Sequence, residues 1–163
     1  MSFAIDVRNS EVSAIRAAIG DRAAWLWYFF DELAAAQGRE FAEAVCRAAV
    51  RRFGAWKAGR AREAAGEAGV DPAAWVEQHA RKGSAAVFES DWIVEADSAT
   101  LKFNQCPLLE RWVELGVPPA DRDLLCDVAM EGDRAKAEAL GLKLEIEERL
   151  GRGDRCCRLS LEK

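Results

Sequence analysis

The residues best suited to chemistry are cysteines in the second half of the chain. The sequence contains five cysteines, and four of them, Cys106, Cys126, Cys156 and Cys157, follow residue 100. An ionised cysteine is a strong nucleophile and a soft metal ligand. The same residue type also fills protein cores as a small apolar side chain. The pattern therefore leaves two interpretations open, a functional site and a core.

Cys106 has the sequence context most favourable for reactivity. It ends the segment LKFNQC and directly precedes Pro107, which suits the first position of a helix. Unsatisfied N–H groups at a helix start lower the pKa of a nearby thiol. Glu110 lies one helical turn later, and its carboxylate is expected to point back toward the sulfur as a general acid or base. We therefore expect Cys106 to be the reactive cysteine.

The remaining cysteines fit a core position as well as a site. Cys126 falls in the middle of a predicted helix, and Cys157 shares a strand face with apolar residues, which favours the core for both. The adjacent Cys156 is predicted to point to the opposite strand face. Cys46 lies near the apolar stripe of an earlier helix and is predicted to be a core residue.

Metal binding is not favoured by the spacing. The chain lacks the close C-x-x-C pairs of structural zinc sites, so no cofactor is predicted. If zinc binds, the candidate ligands are Cys106, Cys126, Cys157 and Glu110. The single histidine, His79, comes late in a predicted helix, where a surface position near the helix C-terminus is expected. A His–Cys catalytic pair would require His79 to reach the second half of the chain.

Helices are predicted for residues 8–82. Asp21 is a candidate N-cap of a helix that ends at Gly38. A second helix, with Phe41 in its apolar stripe, is predicted to end at Gly54. These helices must form one side of the core.

A hairpin–helices–hairpin arrangement is predicted for residues 85–162. The segments AVFESDWIVEA and TLKFNQ alternate with a period of two, with Trp92 and Leu101 directed inward. Two helical segments follow, and LKLEIEERL and CCRLSL then form the second hairpin around GRGD. Residues 1–163 are accordingly predicted to be a single α+β domain. N-terminal helices precede an antiparallel sheet of about four strands, in two hairpins with two helices inserted between them.

The net charge and the length of the apolar runs limit the classes of molecule that the protein is expected to bind. A net charge of −5 gives no electrostatic basis for binding nucleic acid. The longest apolar run, AAWLWYFF, is too short to cross a membrane, and the N-terminal residues do not resemble a secretory signal. A reducing, cytoplasmic location with free thiols is the expectation. The expected partner is a small molecule, and the oligomeric state stays open, a homodimer included.

The order of motifs FNQC…E…ELG…LC…GDRCC resembles the L-2-amino-thiazoline-4-carboxylic acid hydrolase family of bacterial proteins. The matching residues are Phe103, Asn104, Cys106, Glu110, Glu114, Leu115, Gly116, Cys126, Gly153 and Cys157. The resemblance is concentrated in residues 101–161. It departs at Gln105, which forms a shorter bridge than the family pattern, and at Ala129, where an acid is expected three residues after the second cysteine.

The resemblance implies ring-opening hydrolysis of a cyclic amidine that carries a carboxylate. Cys106, or an activated water, would attack the carbon between the ring nitrogen and sulfur while Glu110 moves the proton. Cys126 and Cys157 would complete the catalytic group. The implied substrate-binding residues are Asn104, Arg111 and Asp127, and Arg111 would pair with the substrate carboxylate unless it is a solvated surface residue.

The closing GDxxC pattern also resembles small-molecule-binding domains of the vinyl-reductase type. This resemblance implies a non-catalytic binding or sensor domain, in some cases with a cysteine-rich zinc site. An apolar space between the sheet and the helices would then serve as the pocket.

Overall fold

Six helices and four strands make up the part of the chain that this computed structural model describes, residues 7–81 and 83–163. The helices are α1 (Val7–Gln37), α2 (Arg39–Ala65), α3 (Pro72–Arg81), α4 (Ser84–Val87), α5 (Pro107–Glu114) and α6 (Pro119–Leu140). The strands are β1 (Ser90–Val94), β2 (Ser98–Phe103), β3 (Lys143–Glu148) and β4 (Cys157–Glu162). The predicted α+β class is confirmed, with helices first and α5 and α6 between two hairpins.

The two long N-terminal helices are separated by one residue. Gly38 has a φ angle of 91°, which a residue with a side chain adopts only under strain, so the predicted end of the first helix is confirmed. The prediction that Asp21 caps this helix is wrong, because Asp21 lies in the interior of α1. Asp21 instead forms an ion pair with Arg111.

Helix α2 continues through the glycine at which it was predicted to stop. Gly54 is buried where α2 crosses α6, and a Cβ atom at this position would overlap the carbonyl oxygen of Gly132. The missing side chain therefore serves close helix packing and not helix termination.

The buried face of α2 consists of small residues and differs from the predicted stripe. Its buried members are Ala42, Cys46, Gly54, Ala58 and Ala61. Phe41, predicted to face the core, is 48% exposed. A close helix crossing accommodates only small side chains, so the large aromatic residue lies outside it.

The four strands form one antiparallel sheet in the order β1-β2-β4-β3. The two predicted hairpins are joined through β2 and β4. Leu101 and Leu159 pair across this junction and are both buried, which confirms the inward face of β2 and β4. Trp92 is 42% exposed, contrary to prediction, because β1 is an edge strand with little cover.

The described residues form three buried core clusters, one of which packs Trp75 of α3 against Leu161 of β4. Phe30 of α1, Trp112 of α5 and Leu125 of α6 belong to the cluster between the helices. The Trp112 indole Nε1 donates a 2.8 Å hydrogen bond to the Ala23 carbonyl oxygen, which links α5 to α1. A third cluster places Leu101, Cys157 and Leu159 of the sheet against α6.

Within residues 7–81 and 83–163, every helix is too short or too polar to traverse a lipid bilayer.

Candidate functional site

A cavity of about 510 Å³ lies between the helices and the inner face of the sheet. All six helices contribute to its wall, α4 through Ser84, together with β2 and β4. Much of the lining is apolar and includes Leu26, Phe53, Phe103, Trp112 and Met130. A cavity of this size and composition suits a small organic ligand.

Three of the five cysteines line this cavity: Cys106, Cys126 and Cys157. The register of the sheet contributes to this arrangement, since Cys157 pairs with Phe103 at the end of β2, three residues before Cys106. Ionised Cys106 would raise the pKa of both Cys126 and Cys157. Because each thiolate opposes the ionisation of the others, the group favours at most one thiolate at a time.

Cys106 is the N-cap residue of α5, as its position before Pro107 suggested. Burial raises the pKa of the Cys106 thiol, while the backbone N–H groups of Leu109 and Leu108 lower it to a smaller extent. These N–H groups make no side-chain capping hydrogen bond of regular geometry with the sulfur. The predicted lowering of the Cys106 pKa is therefore wrong in sign, because desolvation outweighs the helix start.

Cys126 and Cys157 are more deeply buried than Cys106. Burial raises the pKa of Cys157 to about 12 and raises that of Cys126 further. The Leu150 backbone N–H lies 3.3 Å from the Cys157 sulfur and only partly offsets this effect. Cys126 packs directly on Gly151, where a Cβ atom would lie 2.7 Å from the cysteine Cβ. Both residues are neutral thiols near pH 7.

The other two cysteines lie outside the cavity lining. Cys46 is 4% exposed and belongs to the helical core, which confirms its prediction as a core residue. Cys156 is buried, and its sulfur donates a 3.2 Å hydrogen bond to the Glu148 carboxylate. All five cysteines are free thiols.

His79 also lines the cavity, whereas a surface position had been predicted. Its Nε2 lies 2.9 Å from the Ser90 hydroxyl, and its ring centroid is 5.3 Å from that of Phe103. Burial lowers the pKa of His79 to about 4, with the charge of Asp133 opposing the shift and that of Lys136 adding to it. The imidazole is therefore neutral near pH 7.

Charged side chains complete the lining. Arg22 of α1 and Lys57 of α2 both approach the Phe53 ring, with their charged groups 6.0 Å and 5.4 Å from its centroid. Asp133 supplies the one acidic side chain of the lining within the described residues. Sequence reasoning missed all three residues, and for Arg22 and Lys57 an isolated charge on a helix carries no signal that distinguishes a cavity from the surface.

The residue expected to differ from the family pattern also faces this cavity. Ala129 belongs to the lining, and Asp133 lies one helical turn later on the same side of α6. Ala129 and Asp133 therefore both face the cavity. The i, i+4 spacing was visible in the sequence and is a signal that could have identified Asp133.

Two predicted site residues lie outside the lining, at the exposed end of the first hairpin. Asn104 donates hydrogen bonds to the Glu89 carbonyl oxygen at 2.7 Å and to the Asp91 carboxylate at 2.8 Å. Glu110 is exposed and accepts a 2.7 Å hydrogen bond from the amide of Gln105. Its charge still reaches Cys106 and contributes to the raised pKa of that thiol.

The other two predicted substrate-binding residues form ion pairs at helix interfaces and are likewise absent from the lining. Arg111 pairs with Asp21 at 3.3 Å and with Glu114 at 3.1 Å. Asp127 pairs with Arg47 at 2.8 Å and Arg134 at 2.7 Å, and also with Arg149. Arg111 therefore links α5 to α1, and Asp127 links α6 to α2.

The candidate zinc ligands do not assemble into a metal site in this geometry. Among residues 7–81 and 83–163, no three Cys, His, Asp or Glu side chains are arranged to hold a metal ion. Glu110, the proposed fourth ligand, is hydrogen-bonded to Gln105 at the surface. Tetrahedral zinc coordination requires closer convergence of these groups.

Comparison with known protein families identifies the family to which the chain belongs. The profile of the L-2-amino-thiazoline-4-carboxylic acid hydrolase family matches residues 17–161. The protein therefore belongs to this family, and the match extends well beyond residues 101–161, where the sequence resemblance was concentrated. No curated protein and no solved structure matches the chain with significance.

Proposed function

We propose that the cavity binds a small cyclic amidine of the 2-amino-thiazoline-4-carboxylate class and opens its ring by hydrolysis, with Cys106 as the nucleophile. One observation carries this proposal: a single cavity contains the Cys106 thiol, the neutral His79 imidazole and the Asp133 carboxylate. Membership of a family named for this hydrolysis supplies the substrate class.

The substrate itself can activate the cysteine. An amidine nitrogen is basic, so transfer of the thiol proton to it converts the substrate to an electrophilic amidinium and Cys106 to a nucleophilic thiolate. The raised pKa of Cys106 favours a thiol in the free protein, which is the protonation state this transfer requires. In this proposal the Asp133 carboxylate stabilises the amidinium charge, and the neutral His79 imidazole hydrogen-bonds the reacting groups.

The reaction then proceeds by two displacements. The Cys106 sulfur adds to the carbon between the ring nitrogen and ring sulfur, and the tetrahedral adduct expels the ring sulfur, which leaves as a thiol after protonation. The carbon is then held on Cys106 as an isothiourea. Water adds to this carbon, loses its protons, and expels the Cys106 thiol to leave a urea. One water is consumed, one C–S bond is broken and one C–O bond is formed.

Cys106 is preferred over its two neighbours because of its surroundings. It is only partly buried, whereas Cys126 and Cys157 are 6% and 2% exposed. It also lies at the start of α5, where the Leu108 and Leu109 N–H groups favour its thiolate form. We assign Cys126 and Cys157 to the wall that shields the reacting carbon from bulk water.

Glu110 is less suited to proton transfer than the residues that line the cavity. Its carboxylate is bonded to Gln105 on the exposed side of the α5 start. His79 and Asp133, which line the cavity, are better placed for proton transfer and charge stabilisation.

The test uses L-2-amino-thiazoline-4-carboxylate with the purified protein. We expect a product that has gained one water and one new thiol, detected by mass spectrometry and thiol titration after removal of the protein. Cys106→Ala should abolish turnover. Cys156→Ala, which removes a thiol outside the cavity, should leave turnover intact. Turnover that survives Cys106→Ala would exclude Cys106 as the nucleophile.

A binding function without chemistry is the second candidate. The burial and raised pKa values of Cys126 and Cys157 favour it, because two of the three cavity thiols then suit a pocket wall better than nucleophilic attack. In that case the same ligand would bind unchanged and be recovered intact from wild-type protein, and Cys106→Ala would alter affinity only modestly.

A further inference from the structure

We infer that Arg22 and Lys57 form an anion-binding subsite, arranged around Phe53, that selects cavity ligands carrying a carboxylate. This inference rests on the cavity being the binding site proposed above. Both cations line the cavity, and they come from different helices, α1 and α2. Both also lie near the same aromatic ring, which places them in one part of the wall.

Both cations lie against an aromatic pair that supplies no counter-charge. The Phe53 ring stacks on Trp56 with centroids 5.6 Å apart. Arg22 and Lys57 approach Phe53, and a third cation, Arg60, lies 5.2 Å from the centroid of Trp56. A cation–π contact orients a charged group and contributes attraction without supplying a counter-charge.

The absence of ion pairs distinguishes Arg22 and Lys57 from cations elsewhere between the helices. Arg47, Arg134 and Arg149 all pair with Asp127. Within the described residues, Arg22 and Lys57 have no carboxylate partner, although the chain has a net charge of −5. Arg22 is exposed and Lys57 is half-buried, so an anion held between them lies at the solvent-facing part of the wall, where both positive charges attract it.

The electrostatic influence of Arg22 on Cys106 relates this subsite to the proposed nucleophile. The charge of Arg22 lowers the pKa of the Cys106 thiol, opposing part of the effect of burial. A carboxylate held by Arg22 would therefore lie near the reacting sulfur, and the planar guanidinium can hold it through two hydrogen bonds. Lys57 would add a second, more flexible positive charge.

The experiment compares two ligands that differ by one group. Binding of L-2-amino-thiazoline-4-carboxylate and of 2-amino-2-thiazoline, which lacks the carboxylate, is measured by titration calorimetry with full-length protein. We expect wild type to prefer the carboxylate ligand on the order of tenfold or more, as a charge-assisted hydrogen bond provides. Arg22→Gln and Lys57→Gln should each remove much of that preference without weakening the binding of the analogue that lacks the carboxylate.

Arg60→Gln is the matched control, because it removes a cation from the same aromatic cluster that is not part of the cavity lining. It should preserve the preference, and circular dichroism should show all three variants folded. Equal wild-type affinities for the two ligands would overturn the inference, as would equal losses for both ligands in the two cavity variants.

The anion-binding subsite and the proposed hydrolysis can be supported or rejected independently of each other. A carboxylate preference that depends on Arg22 and Lys57, without turnover, supports the subsite and rejects the reaction. Turnover without such a preference supports the reaction and rejects the subsite. If wild-type protein binds neither ligand, both are rejected.

Discussion

The backbone of Gly54 in α2 packs directly against the backbone of Gly132 in α6. A Cβ atom on Gly54 would overlap the Gly132 carbonyl oxygen and lie 2.8 Å from its carbonyl carbon. The reverse substitution is less crowded, since a Cβ atom on Gly132 would meet the Val50 Cγ1 at 3.4 Å. This crossing sets the separation of two helices that both line the cavity.

Gly54→Ala should destabilise the protein by about 1–3 kcal/mol, because the added methyl group meets backbone that cannot rotate away. Gly59→Ala is the matched control in the same helix, where an added Cβ has no atom within 4 Å. It should be neutral or stabilising by up to about 1 kcal/mol, through the higher helix propensity of alanine. Gly132→Ala should fall between them. Urea unfolding measures all three, and equal effects at Gly54 and Gly59 would contradict the close crossing.

The His79 imidazole should remain neutral to about pH 4, where a surface histidine titrates near pH 6.5. Because the unfolded chain binds this proton at higher pH than the folded protein, folding stability should fall as the pH drops below 6.5. The expected loss is up to about 2 kcal/mol between pH 6.5 and 5. The single imidazole signal in an NMR titration measures the pKa, and His79→Gln should remove this part of the pH dependence. A midpoint near 6.5 would show that the ring is solvated.

The cavity thiols should make the fold sensitive to alkali. Burial raises the pKa of Cys157 to about 12 and that of Cys126 further, so both stabilise the folded protein only while they stay protonated. This contribution is complete below the unfolded-state pKa of about 8.5 and is lost as pH rises toward the folded-state values. Unfolding measured between pH 8 and 11 should show a steeper loss for wild type than for Cys126→Ala. Parallel curves would indicate that Cys126 is accessible to water.

Asp127→Asn should destabilise the protein by about 1–3 kcal/mol, because it weakens charged contacts to several guanidinium groups in a partly buried network. Burial alone would raise the pKa of Asp127, but Arg134 and Arg47 hold it below its ordinary value. Asp123→Asn is the control: it removes a more exposed pair with Arg149 and should cost less than about 1 kcal/mol. Affinity for cavity ligands should be unchanged in both variants. A selective loss of ligand binding in Asp127→Asn would restore the substrate-binding role that the sequence suggested.

The sequence determined the features that depend on neighbouring residues. Alternation in the segments around Leu101 and Leu159 predicted the inward faces of β2 and β4, and Pro107 after Cys106 marked the start of α5. These predictions hold because strand pleating and helix initiation are set within a few residues of the chain. The order of cysteines, glycines and acids also identified the family.

Only the tertiary structure decided how the site is composed. Gly54 could be recognised as a packing residue, and not a helix stop, only once α6 lay across α2. The pKa of Cys106 is raised because burial, which no local pattern reveals, exceeds the effect of the helix start. Arg22 and Lys57 line the cavity, while Asp127 pairs with Arg47 and Arg149 from other segments of the chain. Charge pairing and desolvation depend on which remote segments meet, and that information exists only after the chain has folded.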